Sequence, residues 1–76
     1  ARVMLSIINE KGSLGIISAT IGDYGGNITN LNLTEKDTDF YNLRIDIDVD
    51  DKKHIDNIIK SLRGLPEVSS AERLLH

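Results

Sequence analysis

The chain has 76 residues, no cysteine and a net charge of −3, from nine Lys and Arg against twelve Asp and Glu. This length fits one domain, and the lack of cysteine excludes a disulfide framework, a cysteine nucleophile and a thiolate metal site. Because the basic residues are scattered and the apolar runs are short, we expect no direct nucleic-acid binding, no membrane association and a cytoplasmic location.

The first predicted element is a strand from Arg2 to Ile8, in which every second residue is apolar and directed to a core. A loop from Asn9 to Gly15 follows it. A helix then begins, with Ser13 as the expected N-cap. We expect it to end at Gly25 or Gly26, in the left-handed backbone conformation that glycine adopts after a helix. Its apolar residues recur at helical spacing, namely Leu14, Ile17 and Ile21.

The second strand is predicted from about Asn27 to Thr34, and a polar hairpin over residues 35–39 reverses the chain. The third strand, Phe40 to Val49, shows a clean alternation of apolar and charged residues. One of its faces is therefore expected in the core and the other in water.

The second helix is expected to be capped by Asp50 or Asp51 and to end at Arg63-Gly64. A last strand spans Val68 to Leu74. The order βαββαβ predicts the ferredoxin-like α+β fold, a four-stranded antiparallel sheet with two helices on one face.

Five of the six glycines fall between Gly12 and Gly26, and the second strand-to-helix loop has none. Folding alone gives no reason for this difference between two similar halves. A helix N-terminus offers unpaired N–H groups to a carboxylate or phosphate, so the loop from Asn9 to Gly15 is a candidate ligand site. The amide of Asn27, at the start of the next strand, could hydrogen-bond a ligand held over this loop.

Other chemistries fit less well. The Gly12 loop lacks the Lys-Ser/Thr of a P-loop, and the acidic run from Asp46 lacks the glycine and glutamate of a calcium loop. His54 and His76 have no partners at zinc-ligand spacing, and His54 is expected to be a solvated residue. Ser13 has no histidine in an evident catalytic arrangement. We therefore expect no catalytic residue, no metal and no cofactor.

Two short motifs resemble those of a known family: Asn9, Gly12 and Leu14 at the first strand-to-helix junction, and Gly-Gly-Asn-Ile at positions 25–28. With the βαββαβ order, they resemble an ACT domain, a regulatory module that binds amino acids. Together with the stretch from Phe40 to Asp48 and Lys53-His54-Ile55, they look most like the C-terminal ACT domain of long Rel/Spo-type (p)ppGpp synthetase/hydrolases. The resemblance covers nearly all of residues 1–76.

The resemblance implies a sensor that pairs side by side into an eight-stranded sheet, with ligands at the interface near the glycine loop. By the same resemblance, Asn9 and Asn27 would hold polar groups of the ligand. Backbone N–H groups of Gly12, Ser13 and Leu14 would bind its carboxylate.

Serine-binding relatives place a histidine where this chain has Ile7. The resemblance therefore does not favour serine as the ligand. An apolar wall from Ile8, Leu14 or Ile28 would favour valine, isoleucine or leucine.

Two functions follow as hypotheses. In the first, residues 1–76 are one regulatory domain of a larger protein, in which a branched-chain amino acid at a homodimer interface controls catalytic domains outside this chain. The resemblance implies that those domains are a GTP pyrophosphokinase and ppGpp hydrolase, and that this chain is no enzyme. In the second, the same fold serves dimerisation or docking on a protein or ribosome without a small ligand.

Overall fold

The computed structural model describes residues 1–74, so His76 lies outside the described part of the chain. The element order confirms the prediction. It runs β1 Arg2–Ile8, α1 Ser13–Asp23, β2 Asn27–Lys36, β3 Phe40–Asp48, α2 Lys52–Arg63 and β4 Val68–Leu74.

The four strands form one antiparallel sheet in the order β2-β3-β1-β4. Strands β1 and β3 are central, and β2 and β4 are the two edges. This arrangement confirms the predicted ferredoxin-like fold, because each half is a strand, a helix and a strand that meet in one sheet. No helix within residues 1–74 is long and apolar enough to cross a bilayer.

The core lies between the helices and one face of the sheet. Alternate residues of the central strands are buried in it, as the period-two pattern predicts. The largest fully buried side chains include Leu5, Ile7, Leu43, Ile45 and Ile47 from the strands, and Ile17, Ile21, Ile55, Ile58 and Leu62 from the helices. The opposite face of the sheet is polar and carries an ion pair between Arg2 and Asp46, with Nε and Oδ1 2.8 Å apart.

Strand β2 is longer than predicted, ending at Lys36 rather than Thr34, so the hairpin is confined to residues 37–39. Its register with β3 shifts between Ile28 and Asn30 and again between Leu33 and Glu35. Each shift inserts one extra residue into β2, so that odd- and even-numbered residues of this strand exchange faces of the sheet. The four residues opposite inward-facing positions of β3 are therefore Ile28, Leu31, Leu33 and Lys36.

The turn after α1 uses its two glycines differently. Gly25 takes the left-handed conformation with φ of 80°, as expected for a helix stop. Gly26 is needed for close packing, because a Cβ there would lie 2.9 Å from side-chain carbons of Ile21 and Ile58.

Helix α2 is capped by Asp51, whose Oδ1 accepts the backbone N–H of His54 at 2.8 Å. The expectation that His54 is solvated is wrong. Its side chain is 16% exposed and its ring nitrogen Nε2 lies 2.6 Å from the carbonyl oxygen of Tyr24. The helical period could not reveal this, because the partner lies thirty residues away in sequence.

Candidate functional site

The loop between β1 and α1 places a glycine, not a serine, at the helix N-cap. Gly12 has φ of 84°, and no side chain caps the helix. The expected cap Ser13 is instead the first helical residue. It is 1% exposed, and its hydroxyl has no hydrogen-bond partner. The left-handed Gly12 turns the chain into the helix one residue early, which buries the Ser13 side chain.

The N-terminus of α1 therefore differs from that of α2, which has a carboxylate cap in Asp51. The N–H of Ser13 donates to the carbonyl oxygen of Glu10 at 3.3 Å. The N–H groups of Leu14 and Gly15 belong to the first turn, where a helix supplies no acceptor. This end of α1 can bind a carboxylate through those two groups and the positive end of the helix dipole.

A groove of about 310 Å³ opens beside this helix end. The loop and the first turn of α1 form one wall, through Gly12 and Leu14, and the end of the β2–β3 hairpin forms the other. Its apolar lining consists of Leu14, Leu31, Leu33, Tyr41 and Leu43. The groove thus combines an apolar interior with unpaired N–H groups nearby, which suits a small amphipathic ligand.

Two charged residues of opposite sign complete the lining of the groove, Glu10 and Lys36. The ammonium nitrogen of Lys36 lies 5.7 Å from the centroid of the Tyr41 ring, a distance at which a cation is attracted to the face of an aromatic ring. The lining is thus neutral overall.

Asn9 is used to hold the hairpin. Its amide nitrogen donates to the carbonyl oxygens of Asp37 at 2.9 Å and Thr38 at 3.2 Å. Its backbone N–H donates to Asp39 at 2.8 Å. Asn9 thereby fixes the hairpin against the glycine loop, and its amide oxygen is the part of the side chain left for a ligand.

The structure does not bring Asn27 and Ile28 to this groove within one chain. They begin β2, opposite Asp48 and Ile47, whereas the groove lies near its end at Lys36. Strand β2 has ten residues, and an extended strand of that length is about 30 Å long, so its two ends lie far apart.

The expected apolar wall is also different. Of the three candidates, Leu14 lines the groove, whereas Ile8 lies opposite Phe40 on the other face of the sheet. Ile28 packs against the core. Sequence reasoning did not assign Leu31, Leu33, Lys36, Tyr41 or Leu43 to the site, and it included Glu10 only as part of the loop. Leu31 and Leu33 share a face in the sequence pattern, but that pattern does not show where α1 stops covering them.

A family model described as "ACT domain" matches residues 1–73. The GTP pyrophosphokinase rsh of Brucella ovis is 39% identical over 74 residues, which is 97% of this chain and 10% of that protein. The bifunctional (p)ppGpp synthase/hydrolase SpoT of Escherichia coli K12 is 31% identical over 71 residues, 93% of this chain and 10% of that protein. The chain thus spans about a tenth of these curated relatives.

Solved structures share the fold. The crystal structure of the ACT domain from the GTP pyrophosphokinase of Chlorobium tepidum superposes with a TM-score of 0.81 at 23% identity, covering 97% of this chain and 95% of that one. A homoserine dehydrogenase from Thiobacillus denitrificans gives a TM-score of 0.79 at 18% identity, covering 96% of this chain and 16% of that one.

Proposed function

This chain belongs to the ACT domain family, a regulatory rather than a catalytic fold, and on that premise we propose that it senses a branched-chain amino acid. The resemblance to Rel/Spo-type proteins is confirmed by the relatives. We further propose that residues 1–76 form one regulatory domain of a longer cytoplasmic protein. In that protein the bound amino acid would control (p)ppGpp synthesis and hydrolysis by catalytic domains outside this chain.

One observation carries the proposal: the uncapped N-terminus of α1 opens beside a leucine-walled groove. A carboxylate would bind the N–H groups of Leu14 and Gly15, and an aliphatic side chain would lie against Leu31 and Leu33. A volume of about 310 Å³ is at the small end of ligand pockets. A ligand of valine size gains roughly 4–8 kcal/mol, which corresponds to a Kd between about millimolar and micromolar.

The proposal includes a homodimer, because the predicted ligand residues lie at the two ends of β2. This strand is an edge, with one row of backbone groups unpaired within the sheet. If the β2 edges of two copies pair antiparallel, the start of one strand lies beside the end of the other. Asn27 and Ile28 of the partner subunit would then approach the loop that carries Asn9 and Gly12.

Exposed apolar residues beside the β2 edge support this pairing. Leu14 is 42% and Leu33 51% exposed, and both line the groove. Ile16, elsewhere on α1, is 41% exposed. The outer surface of α1 also carries no charge before Asp23, whereas α2 exposes several lysines. Contact with a second copy would cover these residues, since apolar surface of this kind is typical of interfaces.

The test is calorimetric titration of this chain with each of the twenty amino acids. We expect saturable binding of valine, isoleucine or leucine, with one ligand per chain or per two chains. The variant Gly12→Val, at a left-handed position beside the groove, should lose the ligand response while sedimentation still shows a dimer. Gly22→Ala, in open space on α1, is the matched control and should bind as the original chain does.

The exposed apolar residues Leu14, Ile16 and Leu33 also favour a second candidate, a dimerisation or protein-docking module without a small ligand. Silence for all twenty amino acids, in a folded and dimeric sample, would reject the sensor and support this alternative. A regulatory effect would be measured in the longer protein, as a change in the ratio of (p)ppGpp synthesis to hydrolysis on adding valine.

A further inference from the structure

The charges in the groove match those of a free α-amino acid. Glu10 and Lys36 are its two ionic residues, and the rest of the lining is apolar apart from the Tyr41 hydroxyl and the backbone. A free amino acid carries an ammonium and a carboxylate on the same carbon. A carboxylate bound at the helix end therefore requires an acceptor for the ammonium close by.

Glu10 is in the right place to be that acceptor. It lies two residues before the N-cap Gly12, and its backbone is fixed on both sides. Its N–H donates to Ile8 at 2.9 Å, and its carbonyl oxygen accepts from Ser13 at 3.3 Å. The backbone of Glu10 is thus held in the turn that leads to the N–H groups of Leu14 and Gly15, and Glu10 lines the groove beside them.

Lys36 is on the other side of the groove. It lies on the edge strand β2, which is two strands away from β1 in the sheet. Two strand spacings are about 10 Å. The Lys36 ammonium is over the ring of Tyr41. If the head group of a ligand lies at Glu10, its side chain would point toward this wall, where the Lys36 ammonium would repel a second cation.

We propose that Glu10 is the counter-ion of the α-ammonium of the ligand, so that the groove selects an uncharged α-amino acid over the corresponding carboxylic acid. This inference rests on the proposed sensor function. It gives a role to Glu10, which lies in the predicted loop but to which neither the ACT resemblance nor the glycine pattern assigns a contact.

The experiment compares valine with 3-methylbutanoate, which lacks the ammonium, by calorimetric titration. The original chain should bind valine at least about tenfold more tightly than 3-methylbutanoate. Glu10→Gln should weaken valine binding by about 10- to 100-fold, the range expected for loss of a charge-assisted hydrogen bond. It should leave 3-methylbutanoate binding equal or stronger.

The control is Glu35→Gln, which changes the net charge equally. Glu35 lies outside the groove, where its Oε2 accepts from the Asn42 amide at 3.3 Å. Circular dichroism and thermal melting establish that both variants remain folded. If valine binds the original chain and Glu10→Gln with the same affinity, the role of Glu10 is rejected and the sensor stands. If no amino acid binds the original chain, the sensor itself is rejected, and the inference with it.

Discussion

The imidazole of His54 connects the two halves of the molecule through the carbonyl oxygen of Tyr24, which lies 2.6 Å from Nε2. Its other nitrogen, Nδ1, accepts the backbone N–H of Asp50 at 2.9 Å. Because a backbone amide can only donate, the ring proton is on Nε2 and is donated to Tyr24. His54 therefore ties the turn after α1 to the loop that precedes α2.

Replacing His54 by alanine should lower the free energy of unfolding by about 1–2 kcal/mol, since two backbone groups lose their partner at a largely covered position. Urea denaturation followed by circular dichroism measures the change. The neighbouring Lys53→Ala is the control, because Lys53 is exposed and such substitutions stay within about 0.5 kcal/mol. Equal effects of the two substitutions would mean that the His54 bridge adds nothing to stability.

Gly26→Ala should destabilise the protein by about 1–3 kcal/mol, because the added methyl group overpacks the core. A Cβ there would meet Ile21 and Ile58 at 2.9 Å and Ile47 at 3.0 Å. The matched change Gly22→Ala introduces the same methyl group on α1, where no atom lies within 4 Å. It should stabilise by roughly 0.5–1 kcal/mol, since alanine favours a helix over glycine. Thermal unfolding of the pair checks the predicted opposite signs.

The two helix N-termini should respond in opposite ways to removal of their polar side chains. Asp51→Ala removes the carboxylate that accepts from His54 at 2.8 Å, which should cost about 1 kcal/mol. Ser13→Ala removes a buried hydroxyl without a partner, so stability should be unchanged or rise by about 1 kcal/mol. Chemical denaturation of both variants measures this. A loss on Ser13→Ala similar to that of Asp51→Ala would show that Ser13 has a partner in solution.

Asp46 should contribute to a loss of stability in acid. The hydrogen bond from the Arg2 guanidinium, at 2.8 Å, holds the pKa of this carboxyl below its ordinary value of 3.8. The unfolded chain then takes up the proton more readily than the folded one. The stabilisation is complete above the unfolded pKa and is lost as pH falls through the lower, folded one.

Denaturation measured from neutral pH down to about pH 2 tests this linkage. Asp46→Asn should be less stable near neutrality and should show a smaller further decline below about pH 4. Asp48→Asn is the control, an exposed position on the same strand that lacks the bond to Arg2. An unchanged acid profile for Asp46→Asn would contradict a role for the Arg2–Asp46 pair.

Of the residues that the sequence proposed for a ligand, Gly12 and Leu14 line the candidate groove, and its far wall was not predicted. The glycine cluster identified the loop at Gly12, and the resemblance to ACT domains assigned Leu14 to the ligand. The hairpin wall depends on the second register shift of β2, between Leu33 and Glu35, which places Lys36 on the same side as Leu31 and Leu33. A single strand read by its alternation gives no sign of such shifts, because they arise from pairing with β3.

The sequence by itself determined the element order, the buried face of each central strand and the left-handed stop after α1. These follow from local rules: period-two burial in strands, helical spacing of apolar residues and the freedom of glycine to adopt positive φ. Only the tertiary structure decided that Ser13 is buried without a partner, that His54 joins Tyr24 to Asp50, and that Glu10 and Lys36 line one groove. Each of these depends on how separate elements approach one another, and the local pattern of the chain does not encode that approach.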